Sequence, residues 1–572
     1  MNRFFPLLLC AVAIGGCARS DLGSKAASEV VKQSVKKEAR DAKENIKRIG
    51  SATLKAGSLI GSDPATGAPL WQLDAKTIET QDQLSDGLPR RATLTGATVK
   101  LYQAGKLEST FVAPLIKFSN GDSGLRLLMP NGVRASNAGT LGQGGVPIMV
   151  SAPRGDVDIQ KRLAVLSGGA RVMRGPITAT GQTLRTQTDL ARSQMDGNVV
   201  ATSPQGITKA KSAIFAWKQN KLSAQNVTFV RPDLTLTGDK LSADTAAEKG
   251  VLSGNVRART PDSSASAPIA NFDWKADSIT APNATVTRAG GTLRAGAIAT
   301  DSKLKVASAQ NVTVNQNGAT LRASSANGFD GLANLSGRDV KIVRAGTTLF
   351  APRAKATNWS KDGGVFEGEG GVRATNARGT VTADSATWSG GEKGTIVAQG
   401  GVVIRAQNTV LRGARGRSDT AFQNATLSGD VRANLQNGST LNAPLVEKRG
   451  QNVVASGGAT ALLETPTAGT LTLRAARIET TTGGQSATAR GNVSLRSAEG
   501  ATATAPLATY NRATEKVTAS GGVTYNDPKR GIVNNRGDSL DADLSLGSAV
   551  IRNARGQTSG QVDLFKGKSL FG

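Results

Sequence analysis

The side chains that usually perform acid–base, nucleophilic or metal chemistry are scarce in this sequence. Histidine is absent, which removes the most common general base, a common metal ligand and every serine–histidine triad. The two cysteines, Cys10 and Cys17, both lie in the first seventeen residues, so no disulfide framework or cysteine-rich metal site is expected. Carboxylates such as Asp74, Glu367 and Glu369 are expected to be ordinary solvated strand or turn residues. The composition therefore predicts a protein that is not an enzyme and that needs no cofactor or metal.

Cys17 is the residue for which the sequence does predict covalent chemistry. The apolar run from Phe4 to Ile14 is too short to span a bilayer and has the form of a secretory signal. Residues 14–17, Ile-Gly-Gly-Cys, resemble the bacterial lipobox, whose cysteine is acylated and becomes the first mature residue. The alternative is an ordinary signal peptide that ends near a cysteine. The resemblance implies a signal peptide at 1–16 and lipid attachment at Cys17, which would hold the protein on a membrane.

Residues 17–69 differ in composition from the remainder and are predicted to form a lipidated stalk and linker that is partly helical. Lys, Ala, Glu and Ser dominate the first part of this segment. Apolar residues recur there at three- and four-residue steps, at Val31, Val35, Ala39, Ala42, Ile46 and Ile49. Two interpretations stay open: a solvated spacer, or a basic helix that lies on an anionic membrane face.

A three-residue phrase, typically Gly, then Asn or Gly, then Val, recurs along most of the chain. Its third residue returns at intervals of 28 to 34 positions, at Ala170, Val199, Val227, Val256, Ala284, Val312, Val340, Val372, Val402, Val431, Ala459, Val493 and Val523. Between the phrases, apolar and polar residues alternate with a period of two, which is typical of strands with one buried face. Such a unit buries its apolar face only by stacking on its neighbours. The sequence thus predicts an all-β, elongated solenoid of about thirteen repeats of about 29 residues, preceded by the short helical stalk.

Strand-like sequence begins at Trp71, and here a family resemblance appears. The opening tryptophan, the run Val99–Lys106 (VKLYQAGK) and the segment Phe111–Pro114 (FVAP) resemble the LptC-type member of the lipopolysaccharide-transport (Lpt) periplasmic family. The phrase Gly-Asn-Val, followed by an alternating run that ends in an aromatic such as Tyr510, resembles the OstA repeat of LptA-like bridge proteins. The implied division is an LptC-like β-unit at 70–145 and an OstA-like repeat array at 146–572.

The resemblance implies a folded-over sheet, a β-jellyroll or β-taco, whose inner face shields acyl chains. The cargo would be lipopolysaccharide or another anionic amphipathic lipid, carried through the periplasm between the inner and outer membranes. The implied partners are an inner-membrane ABC exporter and an outer-membrane translocon. Familiar LptC-type proteins hold a membrane helix where this chain has a lipobox, so the membrane that holds the anchor stays open. The residues expected to face lipid are Val199, Val256, Val312, Val340, Val372, Val431, Val493 and Val523.

The formal net charge of +27, from 70 Lys and Arg against 43 Asp and Glu, has two interpretations. It either keeps a surface soluble or attracts an anionic lipid or membrane. Nucleic acid is not expected as a partner, because the sequence shows no aromatic stacking platform. Two alternatives to the conduit remain: a structural or adhesive β-solenoid lipoprotein on the cell surface, and a polysaccharide-active β-helix enzyme. The enzyme is disfavoured because no local cluster of acids and aromatics is present.

Overall fold

A computed structural model describes residues 52–80, 84–85, 88–122, 124–137, 145–390, 394–406, 409–464 and 469–555. These residues lie almost entirely in antiparallel β-strands, so the all-β prediction is confirmed. Within the described ranges the only helical segments are two single 3₁₀ turns, Trp217–Gln219 and Pro528–Arg530. Accordingly, that part of the chain contains no helix with the length and apolarity needed to cross a bilayer. The predicted signal peptide, Cys17 and the predicted helix at 31–49 fall outside the described residues.

The chain separates into two compact units. Unit 1 contains the described residues up to 231 together with 240–248, and unit 2 contains residues 232–239 and those from 249 onward. The strands up to residue 231 are β1 (Ala52–Ser62), β2 (Pro69–Thr80), β3 (Leu84–Ser85), β4 (Leu88–Pro89), β5 (Arg91–Gln103), β6 (Lys106–Gly121), β7 (Gly124–Met129), β8 (Val133–Asn137), β9 (Ile148–Ala152), β10 (Arg154–Asp158), β11 (Leu163–Arg174), β12 (Ile177–Gln187), β13 (Arg192–Ser203), β14 (Gly206–Ala216) and β15 (Lys221–Arg231). Unit 1 continues past residue 145, so the predicted division at 145/146 does not coincide with a boundary between compact units.

Unit 2 is an antiparallel meander in which each strand pairs with the next. After β16 (Leu234–Asp244), whose residues are divided between the units, its strands are β17 (Lys249–Arg259), β18 (Ser263–Asp273), β19 (Ser278–Arg288), β20 (Gly291–Thr300), β21 (Val306–Gln316), β22 (Ala319–Asp330), β23 (Asn334–Arg344), β24 (Thr347–Thr357), β25 (Val365–Asn376), β26 (Gly379–Ser389), β27 (Thr395–Ala406), β28 (Thr409–Asp419), β29 (Asn424–Asn434), β30 (Thr440–Arg449), β31 (Asn452–Glu464), β32 (Thr470–Thr481), β33 (Ser486–Ser497), β34 (Thr502–Asn511), β35 (Lys516–Asp527), β36 (Ile532–Asp543) and β37 (Ala549–Arg552).

Strand β1 corrects one expectation, because it lies inside the segment 17–69 that was predicted to be stalk and linker. It pairs antiparallel with β2, with Leu59 opposite Leu73 and Gly61 opposite Trp71. A Cβ at Gly61 would lie 2.2 Å from the Trp71 ring, so glycine is needed for the indole to pack there. The left-handed backbone at Ala56 (φ 54°) interrupts the alternation of β1, which explains why the period of two was not recognised.

The long strands of unit 2 bend near their middle, and the sheet folds over along this line. In β25 the pairing with β26 skips from Glu369 to Val372, and the intervening Gly370 and Gly371 have φ of 85° and 103°. The fold-over brings opposite strand ends together, since Nδ2 of Asn376 donates to the carbonyl of Thr420 at 2.6 Å. In a flat sheet these two ends would be separated by a strand length, about 35 Å for eleven residues. Unit 2 is therefore a folded sheet with an inside and an outside.

We name the two halves of each bent strand by their position. Leaf 1 contains the half exemplified by residues 365–369 of β25, and leaf 2 contains the half exemplified by residues 372–376. The turns of leaf 1 and the turns of leaf 2 meet along a line that we call the seam. Apolar side chains of both leaves point into the space between them, and this space is the core.

Candidate lipid-binding interior

The recurring phrase is the bend itself. The residue before each motif Val or Ala has a positive φ at all thirteen positions, at Gly169, Asn198, Asn226, Asn255, Asn283, Asn311, Asp339, Gly371, Gly401, Asp430, Gly458, Asn492 and Gly522. Glycine has no Cβ to clash in this backbone region, and Asn and Asp tolerate it better than other side chains. The local sequence therefore determines where each odd-numbered strand from β11 to β35 bends, and the motif residue begins the second half of that strand.

The eight valines that the sequence predicted to face lipid are all buried. Their side chains are between 0 and 4% exposed, at Val199, Val256, Val312, Val340, Val372, Val431, Val493 and Val523. The residues that follow three of them, Arg257, Lys341 and Arg432, are exposed on the outer surface. The valines are therefore buried and the residues that follow these three are exposed, whereas contact with a lipid stays a prediction.

Alanine lies opposite most of these valines on the neighbouring strand. Val372 pairs with Ala383 and Val431 pairs with Ala443, and the same pairing recurs at Val199, Val256, Val312, Val340 and Val493. Small side chains allow the two leaves to approach closely beside the bend. Beside these bends the buried surface is consequently lined by small and branched apolar side chains.

Hydrogen bonds between leaf 1 turns and leaf 2 turns close the seam at intervals, and we call these contacts latches. In unit 1, the Arg174 guanidinium lies 5.5 Å from the centroid of the Trp217 ring and donates to the Trp217 carbonyl. In unit 2 the latches join Ser360 to Gln316, Arg344 to Asp362, Asn376 to Thr420, Asn437 to Gly484, and Tyr525 to Leu546. Each latch is made of side-chain and backbone polar groups, so the seam is closed by polar contacts at its rim.

One stretch of unit 2 has a cavity and no latch. A cavity of about 30 Å³ lies between the leaves, lined by residues that include Leu236, Val256, Phe272, Ile279, Val286 and Leu304. Across residues 249–305, which the structure describes in full, no hydrogen bond joins a leaf 1 turn to a leaf 2 turn. The cavity has room for about one water molecule, so it would admit a larger apolar group only if the leaves separated. Val256 is one of the eight predicted valines and lines this cavity.

Several polar groups are buried in the interior with unusual electrostatics. Burial, reinforced by the neighbouring carboxylate of Asp527, raises the pKa of Tyr525 to about 12. Burial also raises the pKa of Tyr510, whose hydroxyl, like the indole N–H of Trp388, finds no hydrogen-bond partner among the described residues. Burial lowers the pKa of Lys448, whose ammonium donates to the carbonyls of Phe422 and Gln423.

The carboxylates of Asp74, Glu367 and Glu369 lie outside this interior. Asp74 accepts hydrogen bonds from Ser58 and Gln72, each at 2.8 Å, and from Lys100. Partial burial acts to raise the pKa of Asp74, but these bonds outweigh it and hold the pKa below its usual value. Glu367 and Glu369 are exposed on the outer surface of leaf 1, in a polar cleft of about 570 Å³. Within the described ranges, no group of three or more acids or cysteines is arranged to hold a metal ion.

The sequence predicted the row of buried motif valines. It did not predict the latches, nor how the charged residues are distributed over the outer surfaces of the two leaves. Latch partners such as Asn376 and Thr420 are 44 residues apart, and no local pattern marks them. A signal for the outer charges was present, because a basic residue directly follows the motif valine at Arg257, Lys341 and Arg373. Comparison with protein-family models found no match, and comparison with curated proteins found none either.

Proposed function

We propose that this chain shields the acyl chains of an amphipathic lipid between its two leaves while the lipid crosses an aqueous compartment. The observation that carries the proposal is the apolar row that runs between the leaves, formed by the motif valines and the alanines opposite them. The lipid is lipopolysaccharide or a similar anionic amphiphile, as the resemblance to the lipopolysaccharide-transport family implies. Acylation at Cys17, a periplasmic location, and an exporter and an outer-membrane translocon as partners belong to the same proposal.

The energetics of the seam support opening by a lipid. Removing acyl chains from water is favourable by about 0.8 kcal/mol for each CH₂ group, so a dozen groups contribute about 10 kcal/mol. A typical neutral hydrogen bond contributes only about 0.5 to 1.5 kcal/mol net to a folded protein. An entering acyl chain therefore offsets the loss of several latches, and the interior closes again when the lipid leaves.

The unpartnered polar groups of the interior also suit a lipid. The Tyr510 hydroxyl and the Trp388 indole N–H are buried without a partner among the described residues. Leaving such a group unsatisfied costs about 1 to 3 kcal/mol. The ester and amide carbonyls of an acylated lipid would accept hydrogen bonds from both donors, which would remove this cost in the loaded protein.

Photo-crosslinking in the full-length, detergent-extracted protein tests the proposal. A small diazirine side chain is placed at Val256, Val340 or Val431, and in matched control variants at the next residue, Arg257, Lys341 or Arg432. We expect lipid adducts from the inward set and none from the outward set, because neighbouring strand residues face opposite sides. Equal capture by both sets, or capture by neither, would refute the conduit.

A structural or adhesive β-solenoid is the second candidate, and the tight burial of the motif valines favours it. Side chains with 0 to 4% exposure already have protein partners and need no ligand to be covered. If the protein is a structural solenoid, we expect the purified protein to contain no stoichiometric lipid. The diazirine side chains at the inward positions would then attach to protein atoms only. Mass spectrometry of the crosslinked products distinguishes the two functions.

A further inference from the structure

Two rows of side chains on the outer surface of leaf 2 in unit 2 carry only positive charge. From β17 to β35 two rows of outward side chains cross nineteen strands in continuous register. Eleven of these positions are basic: Arg257, Arg294, Arg322, Lys341, Arg373, Arg412, Arg432 and Arg474 in one row, and Arg259, Arg405 and Arg496 in the other. None is acidic. We call these two rows the basic face.

Leaf 1 provides an internal comparison, because its two outward rows cross the same strands. They contain seven basic residues, Arg338, Arg353, Lys355, Arg415, Arg417, Arg477 and Arg490, and four acidic ones, Glu367, Glu369, Glu447 and Glu479. Ion pairs form there, such as Arg353 with Glu369 at 3.8 Å and Arg477 with Glu479 at 2.7 Å. No basic-face cation takes part in an ion pair with another described residue. Within these four rows of unit 2, the basic residues of leaf 2 are thus free of acidic neighbours, whereas those of leaf 1 are mixed with acids.

Folding does not account for this segregation. Arg322 lies directly opposite Lys341, and Arg412 lies directly opposite Arg432. Like charges at directly opposed positions of a sheet are destabilising, and no carboxylate of the same face offsets them. An anionic ligand that spans these pairs would remove the repulsion, so the arrangement is suited to binding.

The remaining side chains of the basic face indicate the chemistry of the partner. Fifteen of the positions between the cations are threonine, including Thr313, Thr375 and Thr380, and their hydroxyls both donate and accept hydrogen bonds. Phe350 is the only aromatic residue in the two rows, so the face lacks the series of stacking rings with which single-stranded nucleic acids are bound. Hydroxyl groups and spaced cations together suit a sugar polymer that carries acidic groups.

The geometry favours a flexible linear partner over a flat one. Cations recur roughly every second strand, a spacing of about 10 Å along the rows. Adjacent strands of a twisted sheet rotate by about 20°, so nineteen strands turn the rows through about one revolution. A planar membrane would meet only a short part of such a face, whereas a flexible chain follows it.

We propose that the basic face binds a linear acidic polysaccharide along leaf 2, independently of any lipid between the leaves. Contact is made by Arg and Lys with carboxylate, sulfate or phosphate groups of the polymer, and by threonine hydroxyls with its sugar hydroxyls. No covalent step is involved.

The test compares two sets of charge-removing substitutions in the full-length protein. The first variant carries R322Q, K341Q, R412Q and R432Q on the basic face. The control variant carries R338Q, K355Q, R415Q and R417Q on leaf 1 and loses the same net charge. Binding to immobilised heparin and to polygalacturonate is measured at several salt concentrations. We expect about tenfold weaker binding for the first variant at about 0.1 M salt and less than about twofold for the control.

Further measurements distinguish a polysaccharide from other anionic partners. Equal weakening in both variants would show that net charge alone is responsible and would overturn the proposal. Tighter binding of the unmodified protein to phosphatidylglycerol vesicles or to single-stranded DNA than to either polysaccharide, with the same sensitivity to the first variant, would overturn it as well. Unchanged amide exchange in the first variant confirms that its sheet is intact. Lipid capture at Val256 is expected to be unchanged in that variant. A negative result for polysaccharide binding would therefore leave the lipid conduit untouched, and a negative result for lipid capture would leave the polysaccharide proposal untouched.

Discussion

Replacing Gly371 with alanine isolates the contribution of the bend. Gly371 has a φ of 103°, and an added Cβ would meet no heavy atom within 4 Å. No steric clash with a neighbour therefore contributes, and the cost comes from the backbone alone. An L-residue held in this region of the backbone map costs about 1 to 2 kcal/mol. We expect Gly371→Ala to weaken the pairing of β25 with β26 by that amount.

Local hydrogen exchange is the suitable assay, because stacked repeats open region by region and a single global unfolding energy is not defined. A loss of 1 to 2 kcal/mol corresponds to amide exchange about 5- to 30-fold faster in β25 and β26. Gly121 is the matched control, since a Cβ there also meets nothing within 4 Å but its φ is not positive. Gly121→Ala is expected to change exchange little or to slow it. If exchange in β25 is unaltered by Gly371→Ala, or if both variants destabilise equally, the phrase is not a bend signal.

Three further predictions concern the seam and the surface. Trp359 is fully buried, and its indole N–H donates to the carbonyl of Leu332 at 2.9 Å. Local amide exchange should therefore show that Trp359→Ala destabilises this turn by about 3 to 5 kcal/mol and Trp359→Phe by less. Burial raises the pKa of Tyr525 to about 12. The neutral phenol therefore contributes fully to local stability below the unfolded pKa of about 10, and this contribution is lost as the pH rises toward 12. In Tyr525→Phe, a pH series of exchange rates should no longer show this alkaline loss of stability. Removing one directly opposed pair of like charges, with Arg412→Gln and Arg432→Gln, should leave local stability unchanged or raise it by a few tenths of a kcal/mol, and slower folding or faster exchange in that double variant would contradict the repulsion argument.

The repeat and the inward row were predictable because both depend on local sequence. A bend with positive φ favours Gly, Asn or Asp, and the motif contains these residues at positions such as Asn255 and Gly371. Burial then alternates from the bend, so that Val256 lies inside and Arg257 outside. The sequence did not predict strand β1, because the positive φ at Ala56 interrupts its alternation and alanine is not a residue type that indicates a positive φ.

The latches and the basic face were not predictable, because both depend on register across the fold. Asn376 meets Thr420 only after the sheet has folded over and three further strands have been added. Arg412 lies opposite Arg432 only in one of several registers that the alternating pattern permits. A shift of one residue would move either side chain to the other surface. Composition gives the total charge, whereas strand pairing decides which face carries it.

Tight burial of the motif valines is compatible with the conduit, since an empty apolar groove that stood open in water would expose its lining at about 25 cal/mol per Å². An unloaded conduit should therefore be closed, and the property that separates it from a structural solenoid is the ease of opening. Opening should be easiest where no latch crosses the seam, beside the cavity at Val256, and harder at Val431, whose strand β29 leads into the turn held by Asn437 and Gly484. Lipid capture at low lipid concentration should consequently be greater at Val256 than at Val431, and Asn437→Ala should reduce that difference by removing the latch. Equal capture at both positions in the unmodified protein would show that the latches do not control access to the interior.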